Sequence, residues 1–377
     1  MASQKVQDFI EEAKVHFSKH EYKKAYETNI KALELLKQET GAIQQKKQWA
    51  EIYLGIVESL DKMGDWLRAL EYAGILISEA RNKNNKKVEI KTRLLTCQVL
   101  LNKGNWDEAG KRYNTTLELA EKAGSDPNIA ECYYGQAYID WRKGDQRAAR
   151  FKITKALDLL EGKQEYYLEA RTRILLASIE DAEGNSEVAI ENFTSAIEQL
   201  KKLEPSEDLA RAHNNLGEVY KGIDEYETAA KQYEQCVKVA KKVKSVRGEL
   251  YGLCNTAECY TFNGDTAKAK KLVKEIESIL KRSKEKYILA QVPYIKGLIA
   301  HQEKEYERAC DYYDKAVENL KKIGSPPYDV GIAYLRKGEA LKAQSKPDRA
   351  SDAFDRAERN FKKANAGLYL KKLSESR

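Results

Sequence analysis

GNWDEA, residues 104–109, decides the fold, because variants of this phrase return along the whole chain. They are HEYKKA ending at Ala25, GDWLRA at Ala69, GDQRAA at Ala149, GNSEVA at Ala189, DEYETA at Ala229, GDTAKA at Ala269, KEYERA at Ala309 and SKPDRA at Ala350. The closing alanines lie 44, then 40 six times, then 41 residues apart. A period of this length marks stacked supersecondary units, so the two or three globular domains that 377 residues would ordinarily suggest are not expected. Each phrase reads as a helix-turn-helix. Glycine or a small polar residue allows the reversal, Asp or Asn can cap the next helix, and the alanine lets two helices approach.

A second landmark stands twelve residues before each alanine: Ala13, Val57, Cys97, Ala137, Ala177, Gly217, Ala257, Gly297 and Gly338. Small side chains there imply close contact between the first helix of a pair (A) and the second (B). Beyond the alanine, large apolar residues recur four positions on and small ones seven on, as in Ile153 with Ala156, Phe193 with Ala196, Tyr233 with Cys236, Tyr313 with Ala316 and Phe354 with Ala357. That i, i+4, i+7 stripe is the packing face of a helix. The pattern resembles the tetratricopeptide repeat, whose signature is small, aromatic, small at these spacings, over roughly residues 5–363. Its 40-residue period exceeds the roughly 34 usual for the family. It is similar to the long-repeat subgroup found in spindle-orientation adaptors, kinesin light chains and bacterial peptide-sensing regulators. The resemblance implies an all-α, right-handed superhelical solenoid of about nine repeats. One solenoid is expected over residues 1–366, with 367–377 as a short cap or tail and an irregular loop near residues 38–47.

Composition agrees with a helical protein. Six prolines are too few for a loop-rich chain, and Val, Ile and Thr never gather into alternating runs, which excludes an all-β fold. No apolar run approaches the roughly 18–20 residues of a membrane span, and the opening MASQKVQDFIEEAK reads as an amphipathic helix, so a cytoplasmic location is expected. Six scattered cysteines without a CxxC pair fit a reducing compartment. The formal net charge of +7 is a mild excess on 66 basic and 59 acidic side chains.

The signatures of nucleotide-binding, acyl-transfer and zinc-protease sites are all missing, so the sequence points away from an enzyme and implies no cofactor and no metal. His16 and His20, four apart on one helix, have no acidic or thiol residue nearby that completes a metal site. Cys97 and Cys236 read as packing residues, whereas Cys254 falls on the inner register of its helix A, where a thiol could face a ligand.

In the family the A helices line the concave side, where ligands bind. Counted from the small landmark, the inner register contains Leu94, Leu101, Tyr134, Tyr138, Trp141 and Arg142 in the earlier repeats, together with Phe17 and Leu54. The later repeats contribute Arg171, Arg211, Asn214, Asn215, Asn255 and Glu258, with Lys221. An aromatic stretch followed by an Arg/Asn stretch suits a peptide or helix of a partner protein, anchored by apolar groups and hydrogen-bonded along its backbone. The alternative for the same aromatic residues is simple packing between A helices. The chaperone-tail clamp of the family finds no three successive repeats that supply it, and the adaptor triplet Leu-Gly-Asn is met only by Leu216-Gly217-Glu218, so neither ligand carries over.

The leading expectation is therefore a scaffold or adaptor that binds another protein. The lesser alternative is nucleic acid or an acidic surface, bound by basic stretches on helices B. Residues 231–247 place six cations beside Glu234, and 268–286 place eight beside Glu275, Glu277 and Glu285. Self-association into a homo-oligomer is left open.

Overall fold

The structure is a computed structural model that describes residues 2–38, 48–283 and 285–377. The irregular loop expected near residues 38–47 falls, but for Gln38, outside the described residues. Among the described residues all regular structure is helical. The chain divides into two compact units, Met1–Ile179 and Glu180–Arg377.

The first unit holds α1 (Ala2–Ser18), α2 (Tyr22–Gln38), α3 (Trp49–Lys62), α4 (Trp66–Asn82), α5 (Lys86–Asn102), α6 (Trp106–Lys122), α7 (Asp126–Arg142), α8 (Gln146–Leu160) and most of α9 (Tyr166–Ala182). The second holds α10 (Ser186–Leu200), α11 (Glu207–Gly222), α12 (Tyr226–Lys242), α13 (Val246–Phe262), α14 (Thr266–Leu280), α15 (Lys286–Gln302), α16 (Tyr306–Lys322), α17 (Pro327–Ala343), α18 (Pro347–Lys363) and α19 (Gly367–Ser376). Odd-numbered helices are the A members and even-numbered ones the B members. The segment read as a cap or tail forms α19, which packs on α18.

The repeated phrase makes the reversal by closing backbone bonds across the turn. At the first Gly turn, Gly64 N–H donates to the Asp61 carbonyl at 3.0 Å and Asp65 N–H to the Leu60 carbonyl at 2.9 Å, satisfying carbonyls that a helix end would leave open. Gly64 has φ 77°, in the left-handed region that glycine enters without a Cβ penalty. Asp224 and Ser345 take the same conformation with φ of 64° and 56°, as the expectation of a small polar residue allows, but His20 and Lys304 adopt it too, with φ of 59° and 64°. Capping is selective as well. Asp145 accepts from Ala148 N–H at 3.0 Å and Asp265 from Lys268 N–H at 3.2 Å. Asn185 makes no cap bond, its amide donating instead to Glu180 Oε2 at 2.8 Å.

The core lies between A and B layers. The phrase alanines from Ala25 to Ala350 are buried, as are the small landmarks Val57, Cys97, Ala137, Ala177 and Ala257. Where the landmark is glycine, an aromatic ring fills the space. A Cβ on Gly217 would lie 2.6 Å from Tyr233 Cε1, one on Gly297 2.6 Å from Tyr313 Cε1, and one on Gly338 2.4 Å from Phe354 Cε1. Close packing therefore ties the two sequence landmarks together as volume partners.

Candidate functional site

Neighbouring A helices touch each other in addition to their B partners. In the first unit α1 packs on α3, α3 on α5 and α5 on α7, and in the second α11 packs on α13, α13 on α15 and α15 on α17. The A layer is thus the tighter, inner side of each unit, and its outward-facing register is the candidate surface.

A–A packing removes part of that register from solvent. Leu94 and Leu101 are 3% and 7% exposed and belong to the core around Tyr113, so the expectation that they meet a partner is corrected. Tyr134, 8% exposed, lies in the core with Ala137 and Ile153. Cys254 is likewise buried, and burial holds its thiol well above the ordinary range, so no reactive thiol faces the inner side there. Leu94, Tyr134 and Cys254 share one register, three residues before the small landmark, which points each side chain at the neighbouring A helix.

The remaining first-unit candidates form a connected row. Tyr138 and Trp141 are half-buried with ring centroids 5.8 Å apart, and the exposed Arg142 guanidinium lies 5.9 Å from the Trp141 ring and 5.0 Å from that of Trp106. Arg171 stacks over Tyr134 at 4.6 Å while its Nη2 donates to Gln98 Oε1 at 3.0 Å. Side chains of α5, α7 and α9 are thereby joined across the layer. Farther along, Asn102 Nδ2 donates to both Asp61 oxygens at 3.0 and 2.8 Å. Three carboxyls on this side, Glu58, Asp61 and Glu131, sit above their ordinary pKa, in each case chiefly because burial disfavours the charged form.

In the second unit the row is polar. Asn255 Nδ2 donates to Asn214 Oδ1 at 3.1 Å and Glu218 Oε1 at 2.8 Å, and Tyr233 OH donates to the same Glu218 oxygen at 2.7 Å. Lys221 Nζ bridges Glu218 at 2.9 Å and Glu258 at 3.2 Å, while Tyr294 OH donates to Glu258 Oε1 at 3.0 Å. Burial opposes the Lys221 charge, but Glu218 and Glu258 outweigh it and hold the ammonium protonated well above the usual range. Asn215 is half-buried beside this row, and Arg211 is exposed and paired with Asp208. Glu218, Tyr294, Arg336 and Glu339 were not among the sequence candidates. The same register count, carried into the last repeats, would have found them: Arg336 pairs with Glu339 at 3.0 Å and stacks over Phe262 at 5.0 Å.

The other sequence features find ordinary partners. His16 Nδ1 lies 2.6 Å from Glu21 Oε2 and His20 Nδ1 2.6 Å from the Tyr22 hydroxyl, and no metal-binding group is present among the described residues. All six cysteines are free and buried. Among the described residues no helix is long and apolar enough to cross a membrane. On the B layer, Lys231 pairs with Glu227 at 2.8 Å, Lys241 with Glu275 at 3.0 Å, Lys268 with Asp265 at 2.7 Å and Lys270 with Glu303 at 2.6 Å, which neutralises part of the two basic stretches.

Comparison with known proteins gives one sequence family and one architecture. Residues 95–162, 168–242 and 290–319 match models described as tetratricopeptide repeat. No protein of curated function matches the chain in sequence. Among solved structures, the apo form of RapI superposes with a TM-score of 0.61 at 16% identity, over 74% of this chain and 100% of its own. A Rap protein complexed with competence and sporulation factor gives 0.58 at 14% identity over 100% of both chains. The apo quorum sensor NprR from B. thuringiensis gives 0.62 at 13% identity, over 96% of this chain and 100% of that one.

Proposed function

Since the chain is a tetratricopeptide-repeat protein, we propose that it is a non-enzymatic scaffold that holds a peptide or helical segment of a partner protein on its A-helix face. The observation that carries this reading is the joining of side chains across successive A helices. Arg171 links Gln98 and Tyr134 in the first unit, and Asn255 links Asn214 and Glu218 in the second. Side chains already fixed by a neighbouring repeat lose little freedom when a ligand arrives, which is how a pre-organised surface gains affinity. Tyr138, Trp141 and Arg142 offer apolar and planar contact, and the Asn row offers amide donors and acceptors to an extended backbone. The structural relatives add that this architecture serves a quorum sensor and a Rap protein complexed with competence and sporulation factor. The basic B-layer stretches support nucleic-acid binding less well, because Lys231, Lys241, Lys268 and Lys270 are already ion-paired.

The test is an affinity capture from native lysate with the wild type and with Tyr138→Ala/Trp141→Ala/Asn214→Ala, after helical circular dichroism shows both to be folded. A protein recovered by the wild type and lost from the variant supports the A-face reading and identifies the partner. Recovery that survives the substitutions but disappears with nuclease or high salt overturns it in favour of the B layer.

A further inference from the structure

Away from the A face, α14, α15 and α16 of the second unit enclose an open cavity of about 850 Å³. α14 stops at Leu280 after 15 residues, where α12 and α16 each run for 17, and the cavity lies beside that end, against the start of α15. Leu280, Leu289, Val292 and Tyr312 give the cavity an apolar lining, and Leu289 is 60% exposed. Pro293, inside α15, lines it too. A proline has no N–H, so α15 lacks one backbone hydrogen bond at this wall.

The rim is strongly one-signed. Lys274, Lys281, Lys296 and Lys315 face one carboxylate, Glu277, and Lys296 holds it at 2.6 Å. Among the described residues Lys274, Lys281 and Lys315 have no carboxylate within ion-pair distance, whereas Lys241, Lys268 and Lys270 on the same layer do.

We propose that this cavity is a second docking site, for an acidic protein segment that inserts a large apolar side chain beside Leu289 and presents carboxylates to Lys274, Lys281 and Lys315. Charge complementarity selects an acidic partner, and the apolar lining between the lysines demands one that also carries Leu-like or aromatic groups. A protein segment carries on one chain both the carboxylates and the bulky apolar group that this lining asks for. This inference does not rest on the A-face reading.

The experiment is fluorescence anisotropy of the full chain with a labelled synthetic peptide of Glu, Leu and Phe. The wild type is expected to bind it, and Lys274→Glu/Lys315→Glu or Leu289→Asp to weaken binding about tenfold or more. All three positions are at the surface, and circular dichroism checks that the fold survives. Tyr138→Ala/Trp141→Ala/Asn214→Ala is expected to leave the affinity unchanged, which separates this site from the A face. Any of four results overturns the proposal: no binding by the wild type, loss in the A-face variant with retention in the lysine variant, equal binding of the peptide with Lys in place of Glu, or cosedimentation with phosphatidylglycerol vesicles without peptide binding.

Discussion

The two units close their helix pairs with different residues in the same places. In the first, Val57 stands sixteen residues before Ala73, and Ala137 the same distance before Ile153. In the second, three of the corresponding positions pair glycine with a ring: Gly217 with Tyr233, Gly297 with Tyr313 and Gly338 with Phe354. In these glycine pairs the absent side chain is replaced by the facing ring, because a close-packed layer tolerates neither a void nor an extra methyl group. The turns differ in the same way. The first unit has His20 beside glycine at positions 64, 104 and 144, whereas the second uses Asp224, Lys304 and Ser345 beside Gly184 and Gly264.

The largest effect should come from exchanging one unit's solution for the other's. Gly297→Val drives a side chain into the Tyr313 ring and should cost about 3 kcal/mol, and Tyr313→Ala about as much by leaving a cavity. The double variant recreates the Val–Ala pair of the first unit and should lose clearly less than the sum, with a coupling of about 1–3 kcal/mol in urea melts. Strict additivity would sink the volume-partner account.

Next in size is the capping of the B helices. Asp145→Ala should cost about 1 kcal/mol, because it releases the Ala148 N–H, whereas Asn105→Ala should cost far less, since Asn105 makes no cap bond. Equal losses in thermal melts would show that side-chain capping is not what separates the two turns.

Turn substitutions should act in opposite directions in the two units. Lys304→Gly relieves a left-handed residue and is expected to stabilise the second unit by about 0.5–1 kcal/mol, while Gly144→Ala destabilises the first by about 1 kcal/mol. Hydrogen exchange resolved by helix would read both, and a destabilising Lys304→Gly would break the comparison.

The smallest expected change is in pH dependence. Glu58, Asp61 and Glu131 hold their protons above the ordinary values of 4.5, 3.8 and 4.5 in the folded first unit. Their stabilising contribution is full below those ordinary values and is lost as pH rises through the raised ones. Acidification from neutral pH toward the carboxylate range should therefore raise the exchange protection factors of α3 and α7, corrected for the intrinsic pH dependence of amide exchange, and Glu131→Gln should remove part of that response. Equal protection in wild type and variant across this range would refute the burial account.

Much of this molecule was legible before any coordinates. The phrase, the small landmark and the apolar stripe located the helix pairs, because helix periodicity and close A–B contact impose local residue choices. Tyr138, Trp141, Asn214, Asn255 and Glu258 do lie on the A layer and remain partly exposed. Leu94, Leu101, Tyr134 and Cys254 were misplaced because register alone does not say how closely one A helix approaches the next. The partners of the basic stretches were likewise not legible, since Lys241 and Lys270 find Glu275 and Glu303 more than thirty residues away.

The linear order of residues by itself determined the repeat, its period and the side of each helix that packs on its partner, since these depend on contacts within one helix pair. Tertiary structure alone decided which inner residues are covered by the neighbouring A helix, which ring fills the space above a glycine, and where α14, α15 and α16 leave a lysine-rimmed cavity. Those outcomes depend on distances between helices from different repeats, which no local pattern encodes.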